Sequence, residues 1–217
     1  MTGGYILHGA VRSSAAWRAR IALELKGVAY TEIRHDLHKG EQNAADYRAI
    51  NPQQLVPALQ CPNGAVHLQS LAIIDYLEEA IPSPPLLPHD IDARADARAL
   101  AQIIACDIHP INNIRVRNHV RDLLPGDPDA MTRWMNRWSK EGFDAIEALL
   151  AASPHVGEFS FGGAPGYVEC FLVPQVGNAR SMGRDISAYK IINRIAGACS
   201  SLPAFRKADP ANFGASG

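Results

Sequence analysis

The sequence predicts an α/β domain of order βαβαββα followed by an all-α domain, on three observations. The first 80 or so residues alternate short strand-like runs with helical ones, a proline-rich run interrupts the chain at Ile81 to Asp90, and nearly everything beyond it has helical period. Tyr5-Ile6-Leu7 reads as the first strand. Ser13-Ser14 then heads a helix whose apolar residues include Trp17, Ile21, Ala22 and Leu25, and Gly27 stops it where a left-handed residue is wanted. Val28 to Ile33 reads as a second strand and Glu41 to Arg48 as a short helix. Leu55 to Gln60 and Ala65 to Leu68 make a hairpin around Pro62-Asn63-Gly64, and Ser70 caps a helix running to about Ala80. A β-α-β start needs a parallel crossover and the hairpin is antiparallel, so the sheet should be four-stranded and mixed, with helices on its faces.

The run IPSPPLLPHD carries four prolines in ten residues, which cannot continue a helix and should make a semi-rigid connector. The expected boundaries are 1–81 for the α/β domain, 82–90 for the linker and 91–217 for the helical domain. Within the last, helices are expected at Ala93 to Leu124, bent or interrupted at Pro110, at Asp129 to Ala152, at Gly166 to about Ser181 and at Ser187 to Cys199. A short terminal helix falls near Leu202 to Lys207, and the tail from Asp209 is expected to fray.

Composition narrows the function classes. Among 217 residues, 47% apolar and 20% charged side chains exclude disordered and collagen-like chains. Uncharged apolar stretches such as Ala99 to Ala105 fall far short of the ~20 residues that cross a bilayer, and the N-terminus lacks a basic segment followed by an apolar core, so a cytoplasmic protein is expected. Twenty-one basic against 22 acidic residues argue against a broad nucleic-acid or membrane surface, while leaving room for a local basic pocket. Cys61, Cys106, Cys170 and Cys199 lie far apart in apolar neighbourhoods and read as buried thiols of a reducing compartment. His35 and His38 have no second ligand pair, so a solvated loop is favoured over a metal site. No G-x-S-x-G, H-E-x-x-H or P-loop pattern occurs.

Three short motifs carry chemistry. Proline at Val56-Pro57 lacks a ladder donor inside an apolar strand: either it is a trans proline at the strand end, or a cis peptide turns the chain and leaves the Val56 backbone groups to pair with an extended peptide. Gln69-Ser70 opens a helix, where first-turn N–H groups favour a carboxylate; capping alone explains Ser70 but not the glutamine before it. At Arg12-Ser13-Ser14 a guanidinium, two hydroxyls and a helix N-terminus share one strand-to-helix turn and suit a thiolate or oxyanion, although two serines there also read as redundant caps. Neither serine has an activating base in the pattern, so donation to another anion fits better than nucleophilic attack.

Together these motifs resemble the glutathione transferase superfamily, and RSSAAWRARIALELKG with NPQQLVPAL, LQSLAIIDYLEE and LVPQVGNA resembles its zeta class, over roughly residues 5 to 206. The resemblance implies a thioredoxin-like first domain that binds glutathione and a helical second domain that binds substrate. It makes Ser13 the hydroxyl donor to the glutathione thiolate, with Ser14 beside it, and puts Gln42 at the glycine end of the tripeptide. Val56, before a cis Pro57, would pair with the cysteinyl unit, and Gln69 and Ser70 would hold the γ-glutamyl end. His109 and Asn113, in CDIHPINN, would face the active site from the second domain; without the resemblance His109 reads as an ordinary helix histidine before a proline bend.

The sequence departs from the class at three places. Ala15 replaces the cysteine of the Ser-Ser-Cys signature, Gly166 and Glu169 replace the usual Ser/Thr and Asp of a helix capping box, and Ser181 stands where some relatives place a carboxylate-binding arginine. The resemblance implies a glutathione-dependent cis–trans isomerase of maleylacetoacetate or maleylpyruvate in aromatic catabolism, working as a homodimer. Arg12 is the expected substrate carboxylate clamp, with Arg180 and then Arg115 as further candidates. The rivals are a transferase that conjugates or dehalogenates small electrophiles, and a non-catalytic binding protein of the same fold.

Overall fold

The computed structural model describes residues 4–213. The chain divides into two compact units, one formed by residues to Leu87 together with those from Ser200, the other by Pro88–Cys199. The first unit holds β1 (Tyr5–Gly9), α1 (Ser14–Leu25), β2 (Tyr30–Arg34), α2 (Ala45–Ile50), β3 (Ala58–Gln60), β4 (Val66–Leu68) and α3 (Ser70–Ala80), the expected βαβαββα order. The sheet runs β2-β1-β3-β4, with β1 parallel to β2 and both β1–β3 and β3–β4 antiparallel. Leu7 and Leu59 on the strands, Ile21 and Leu23 on α1, and Ile73, Ile74 and Leu77 on α3 are fully buried and make one apolar core. Four alanines on α1, at 15, 16, 19 and 22, are buried too, and their small side chains let this good helix former lie close to its neighbours.

The proline-rich run is less free than its composition suggests. Buried Lys26, just beyond α1, donates through Nζ to Glu78 Oε2 (2.5 Å) and to the carbonyls of Ile81 and Pro84 (2.7 Å each). Glu78 in turn accepts from the N–H groups of Leu86 (2.9 Å) and Leu87 (3.1 Å), so both charges are paired and hydrogen-bonded where water is excluded. Leu86 and Leu87 are themselves buried, and the run to Leu87 therefore belongs to the first unit rather than linking the two.

The end of the chain also differs from expectation. A helical domain over 91–217 does not describe it, because α10 (Pro203–Ala208) and the turn Pro210–Phe213 belong to the α/β unit. Arg20, fully buried on α1, donates through Nε to the Ala208 carbonyl (3.1 Å), through Nη1 to Glu32 (2.9 Å) and through Nη2 to the Val11 carbonyl (3.0 Å). Lys207 pairs with Glu24 at 2.8 Å, and the Phe213 ring lies 4.9 Å from the Arg20 guanidinium carbon and 4.5 Å from that of Arg34. Asp209 to Phe213 thus pack rather than fray.

The second unit is helical: α4 (Ile91–Gln102), a π-helical segment (Ile103–Ile108), α5 (His109–Asn112), α6 (Ile114–Leu123), α7 (Ala130–Ala152), α8 (Tyr167–Ser181) and nearly all of α9 (Lys190–Ser200). Its core includes Ala101, Ile104, Phe143, Ile146, Phe171, Leu172, Ile192 and Ile195. Gly142 lets α7 approach the π segment closely, since a Cβ there would lie 2.3 Å from Ile108 Cδ1. At the start of α8 the glycine for hydroxyl exchange is met by the longer acid: buried Glu169 accepts from its own cap residue Gly166 N–H (2.7 Å) and from Ser160 N–H (2.8 Å). Cys61, Cys170 and Cys199 are buried, whereas Cys106 is exposed, because the π segment turns that position outward.

Candidate active site

Strand register brings the motifs of the first unit to one end of the sheet. Gly9, the last residue of β1, pairs with Arg34, the last of parallel β2, while His8 pairs with Ala58, the first of β3, and Ala58 with Leu68, the last of β4. Four neighbouring strands, ~4.8 Å apart, therefore release Arg12-Ser13-Ser14, the loop carrying Gln42, Val56-Pro57 and Gln69-Ser70 at a common edge. Segments spread over 59 residues of sequence, from Arg12 to Ser70, become one surface.

Ser13 is the N-cap of α1, with extended backbone and Oγ accepting from Ala16 N–H at 3.2 Å; Ser14 is the first helical residue. The Ser13 O–H remains able to donate, as a thiolate at the positive end of α1 requires. Arg12 is exposed on the same turn. The Val56-Pro57 peptide is cis, as is Ser83-Pro84, and Val56 lies two residues before β3, outside its ladder. The loop before it is pinned from α2: the Tyr47 hydroxyl and Asn51 Nδ2 both donate to the Leu55 carbonyl at 2.6 Å. These two positioning residues escape sequence reading because they act only on a backbone carbonyl.

Ser70 is not the cap of α3. The cap is Gln69, held at φ 69° and ψ 126°, a conformation that costs a non-glycine residue ~1–3 kcal/mol. Its Nε2 donates to Gln53 Oε1 at 2.7 Å, while Ser70, buried as the first helical residue, accepts from Arg18 Nη1 at 3.4 Å. The strained residue stands directly before a helix start whose first-turn N–H groups favour an anion. Gln42, in the 3-10 turn Glu41–Asn43, has a buried Oε1 with no hydrogen-bond partner among the described residues.

In the helical unit the expected residues divide. His109 opens α5 directly after the π segment, and such segments are frequent at functional sites. Asn113 is spent on structure: its Oδ1 accepts from Val116 N–H (3.1 Å) and its Nδ2 donates to the Pro110 carbonyl (2.8 Å), capping α6. Its neighbour Asn112 is buried, with neither side-chain polar atom hydrogen-bonded. Arg115 is exposed on α6, and exposed Arg180 donates to Asn193 Oδ1 at 2.9 Å. Ser181 Oγ donates to the Asn178 carbonyl at 2.9 Å. No group of His, Cys, Asp and Glu suited to a metal occurs among the described residues.

A mixed sheet of this order, with a hydroxyl, a cis-proline loop and a Gln-Ser helix start at one end, followed by a helical unit, is the glutathione transferase architecture. The family model for the glutathione S-transferase N-terminal domain matches residues 12–80. Maleylpyruvate isomerase of a Ralstonia species is 48% identical over 200 residues, covering 92% of this chain and 94% of the relative. A solved holo structure of a maleylpyruvate isomerase, described as a bacterial zeta-class glutathione S-transferase, superposes with a TM-score of 0.93 at 46% identity, covering 98% of this chain and 100% of that one. Maleylacetoacetate isomerase of Methylobacterium extorquens, solved with bound malonate and glutathione, gives a TM-score of 0.93 at 38% identity, covering 98% and 99%. The chain belongs to the zeta class of the glutathione S-transferase family.

Proposed function

We propose that this protein is a glutathione-dependent cis–trans isomerase of a maleyl diacid, maleylpyruvate or maleylacetoacetate. The observation that carries the reading is similarity to such isomerases along nearly the whole chain, joined to an unbroken set of motif residues at one sheet end. Glutathione supplies a thiolate that adds reversibly to the activated double bond, which rotates while single, so that glutathione is released unchanged. Ser13 donates its O–H to the sulfur with Ser14 in the same helix turn, and the α1 N-terminus favours the negative charge. Val56 offers backbone groups to the cysteinyl unit, Gln42 Oε1 accepts from the glycine end, and Gln69 and Ser70 hold the γ-glutamyl carboxylate at the start of α3. Arg12 balances the charge that develops on the substrate. The same reading makes the protein a cytoplasmic homodimer serving aromatic breakdown; no helix among the described residues is long and apolar enough to cross a membrane.

The test is stoichiometric. Incubated with maleylpyruvate and glutathione, the enzyme should convert the cis diacid to the trans isomer while the free-thiol titre stays constant. One thiol consumed per substrate would instead establish conjugation, and no turnover with retention on immobilised glutathione would leave a binding protein.

A further inference from the structure

Two histidines far apart in the chain lie ring to ring against Tyr47, the residue that pins the loop before Val56. His8, buried on β1, and His35, the residue after β2, face each other with His8 Nδ1 and His35 Nε2 3.1 Å apart and the ring centroids 5.4 Å apart. Gln60, at the end of β3, holds the far side of His8, its Oε1 accepting from Nε2 at 3.1 Å. With that proton on Nε2, neutral His8 presents a bare Nδ1, so neutral His35 donates its Nε2–H across the gap. The His35 backbone is fixed as well, its N–H bonded to the Gly9 carbonyl at 2.9 Å.

Tyr47 couples this pair to the candidate active site. Its ring, 1% exposed on α2, lies 4.3 Å from that of His35 and 5.6 Å from that of His8, centroid to centroid, and its hydroxyl donates to the Leu55 carbonyl at 2.6 Å. The side chain is a strut, with the histidines at its ring and the loop at its hydroxyl. Asn51 Nδ2 shares the Leu55 carbonyl, also at 2.6 Å, so loss of the strut loosens the loop without freeing it.

The strut depends on a neutral pair. A proton on His8 Nδ1 would set two N–H groups face to face and break their bond, and a proton on His35 places a charge on a half-buried ring. The charged groups around His35 are Glu41 in the 3-10 turn, Asp46 on α2 and its chain neighbours Arg34 and Asp36, which are occupied by Glu32 (3.4 Å) and Lys39 (3.2 Å). Burial, and then His8, hold the His35 pKa below the ordinary value against the pull of Glu41 and Asp46. A closed cluster that resists a proton is, by linkage, opened by one.

We propose that His8, His35 and Tyr47 form a proton-sensitive latch on the glutathione loop: the neutral histidine pair holds Tyr47 on the Leu55 carbonyl and so sets the Val56 backbone, and protonation releases it. Glutathione as the ligand served rests on the isomerase reading; the three positioning residues do not.

Affinity for S-methylglutathione, whose sulfur carries no titratable proton, is measured by calorimetry at pH 7.5 and 5.5. Wild type should bind roughly three- to ten-fold more weakly at the lower pH. His35→Gln, which keeps a donor toward His8 without titrating, should bind as wild type does at pH 7.5 and lose most of the fall. Tyr47→Phe, which keeps the ring and removes the hydroxyl, should bind more weakly at both values and also lose the fall, whereas exposed His38→Gln should retain it. An unchanged wild-type affinity, a full fall in His35→Gln or Tyr47→Phe, or a fall abolished in His38→Gln would each overturn the latch. Hydrogen exchange reads the loop without the ligand, at the Gln53 and Gln54 N–H groups bonded to Asn51 Oδ1 (3.0 Å) and the Asn51 carbonyl (2.9 Å). Corrected for the intrinsic effect of pH, their protection should fall on acidification in wild type and not in His35→Gln. That pattern with no S-methylglutathione bound at either pH would sink the glutathione reading and leave the latch standing; protection unmoved by acid, with S-methylglutathione bound, would overturn the latch and leave that reading.

Discussion

At the scale of single residues, Ser13 combines two tasks: its oxygen caps α1 through Ala16 N–H, and its proton is free for a thiolate. Ser13→Ala should therefore raise the pKa of bound glutathione's thiol and lower turnover, by less than the ~10²–10³ typical of losing one oxyanion donor, because sulfur is larger and its charge more diffuse. Titration of thiolate absorbance against pH checks the first effect. If Ser14→Ala proves far more damaging, the roles of the two serines are reversed. His35 carries a second prediction. Its Nε2 shares a hydrogen bond with His8 Nδ1 (3.1 Å) and its ring lies tilted against Tyr47; burial, and then the charge of His8, hold its pKa below the ordinary value, against the opposing pull of Glu41 and Asp46. A folded-state pKa below the unfolded one of ~6.5 means that the folded protein resists protonation, so its contribution to stability is intact above that pH and is lost as the pH falls through and below it. The urea midpoint should drop between pH 7.5 and 5.5, and drop less in His35→Gln; equal drops would show that other groups govern this window.

At the scale of elements, the end of β4 and the start of α3 meet at one strained residue. Gln69 adopts positive φ where glycine would fit without cost, so selection of a side chain there points to a contact worth the strain. Gln69→Gly should relieve ~1–3 kcal/mol of strain, partly offset by ~0.5–1 kcal/mol of glycine entropy, and raise the thermal midpoint while weakening glutathione. A variant that is both less stable and unchanged in glutathione affinity would show the backbone, not the side chain, to be the functional part. The start of α8 shows another way in which an element resolves a local mismatch. Gly166 has no side chain to cap with, yet Glu169 reaches both its N–H and that of Ser160, which explains why the departure from the usual capping pair is tolerated.

At the scale of the whole molecule, the resemblance to zeta-class relatives leads to a homodimer. Sedimentation at micromolar concentration should give twice the 23.5 kDa of one chain; a monomer at that concentration would contradict the assembly. The packing of the terminal segment against α1 has a consequence at the same scale. Arg20 is satisfied by groups from Ala10, Val11, Glu32 and Ala208, so the last helix completes the shell of a buried charge near the start of the chain.

What was legible in the sequence was local. Order and type of the first seven elements follow from periodicity, from Gly27 as a stop and from the Pro62-Asn63-Gly64 turn, and the site motifs at Ser13, Val56-Pro57 and Gln69-Ser70 are contiguous pairs whose neighbours in sequence give them their meaning. The residues that tertiary structure decided depend on partners far along the chain. Lys26 and Glu78 draw the proline run into the first unit, and Arg20 draws in Ala208. Such partners are invisible in a local pattern, because burial and pairing are properties of surroundings rather than of sequence.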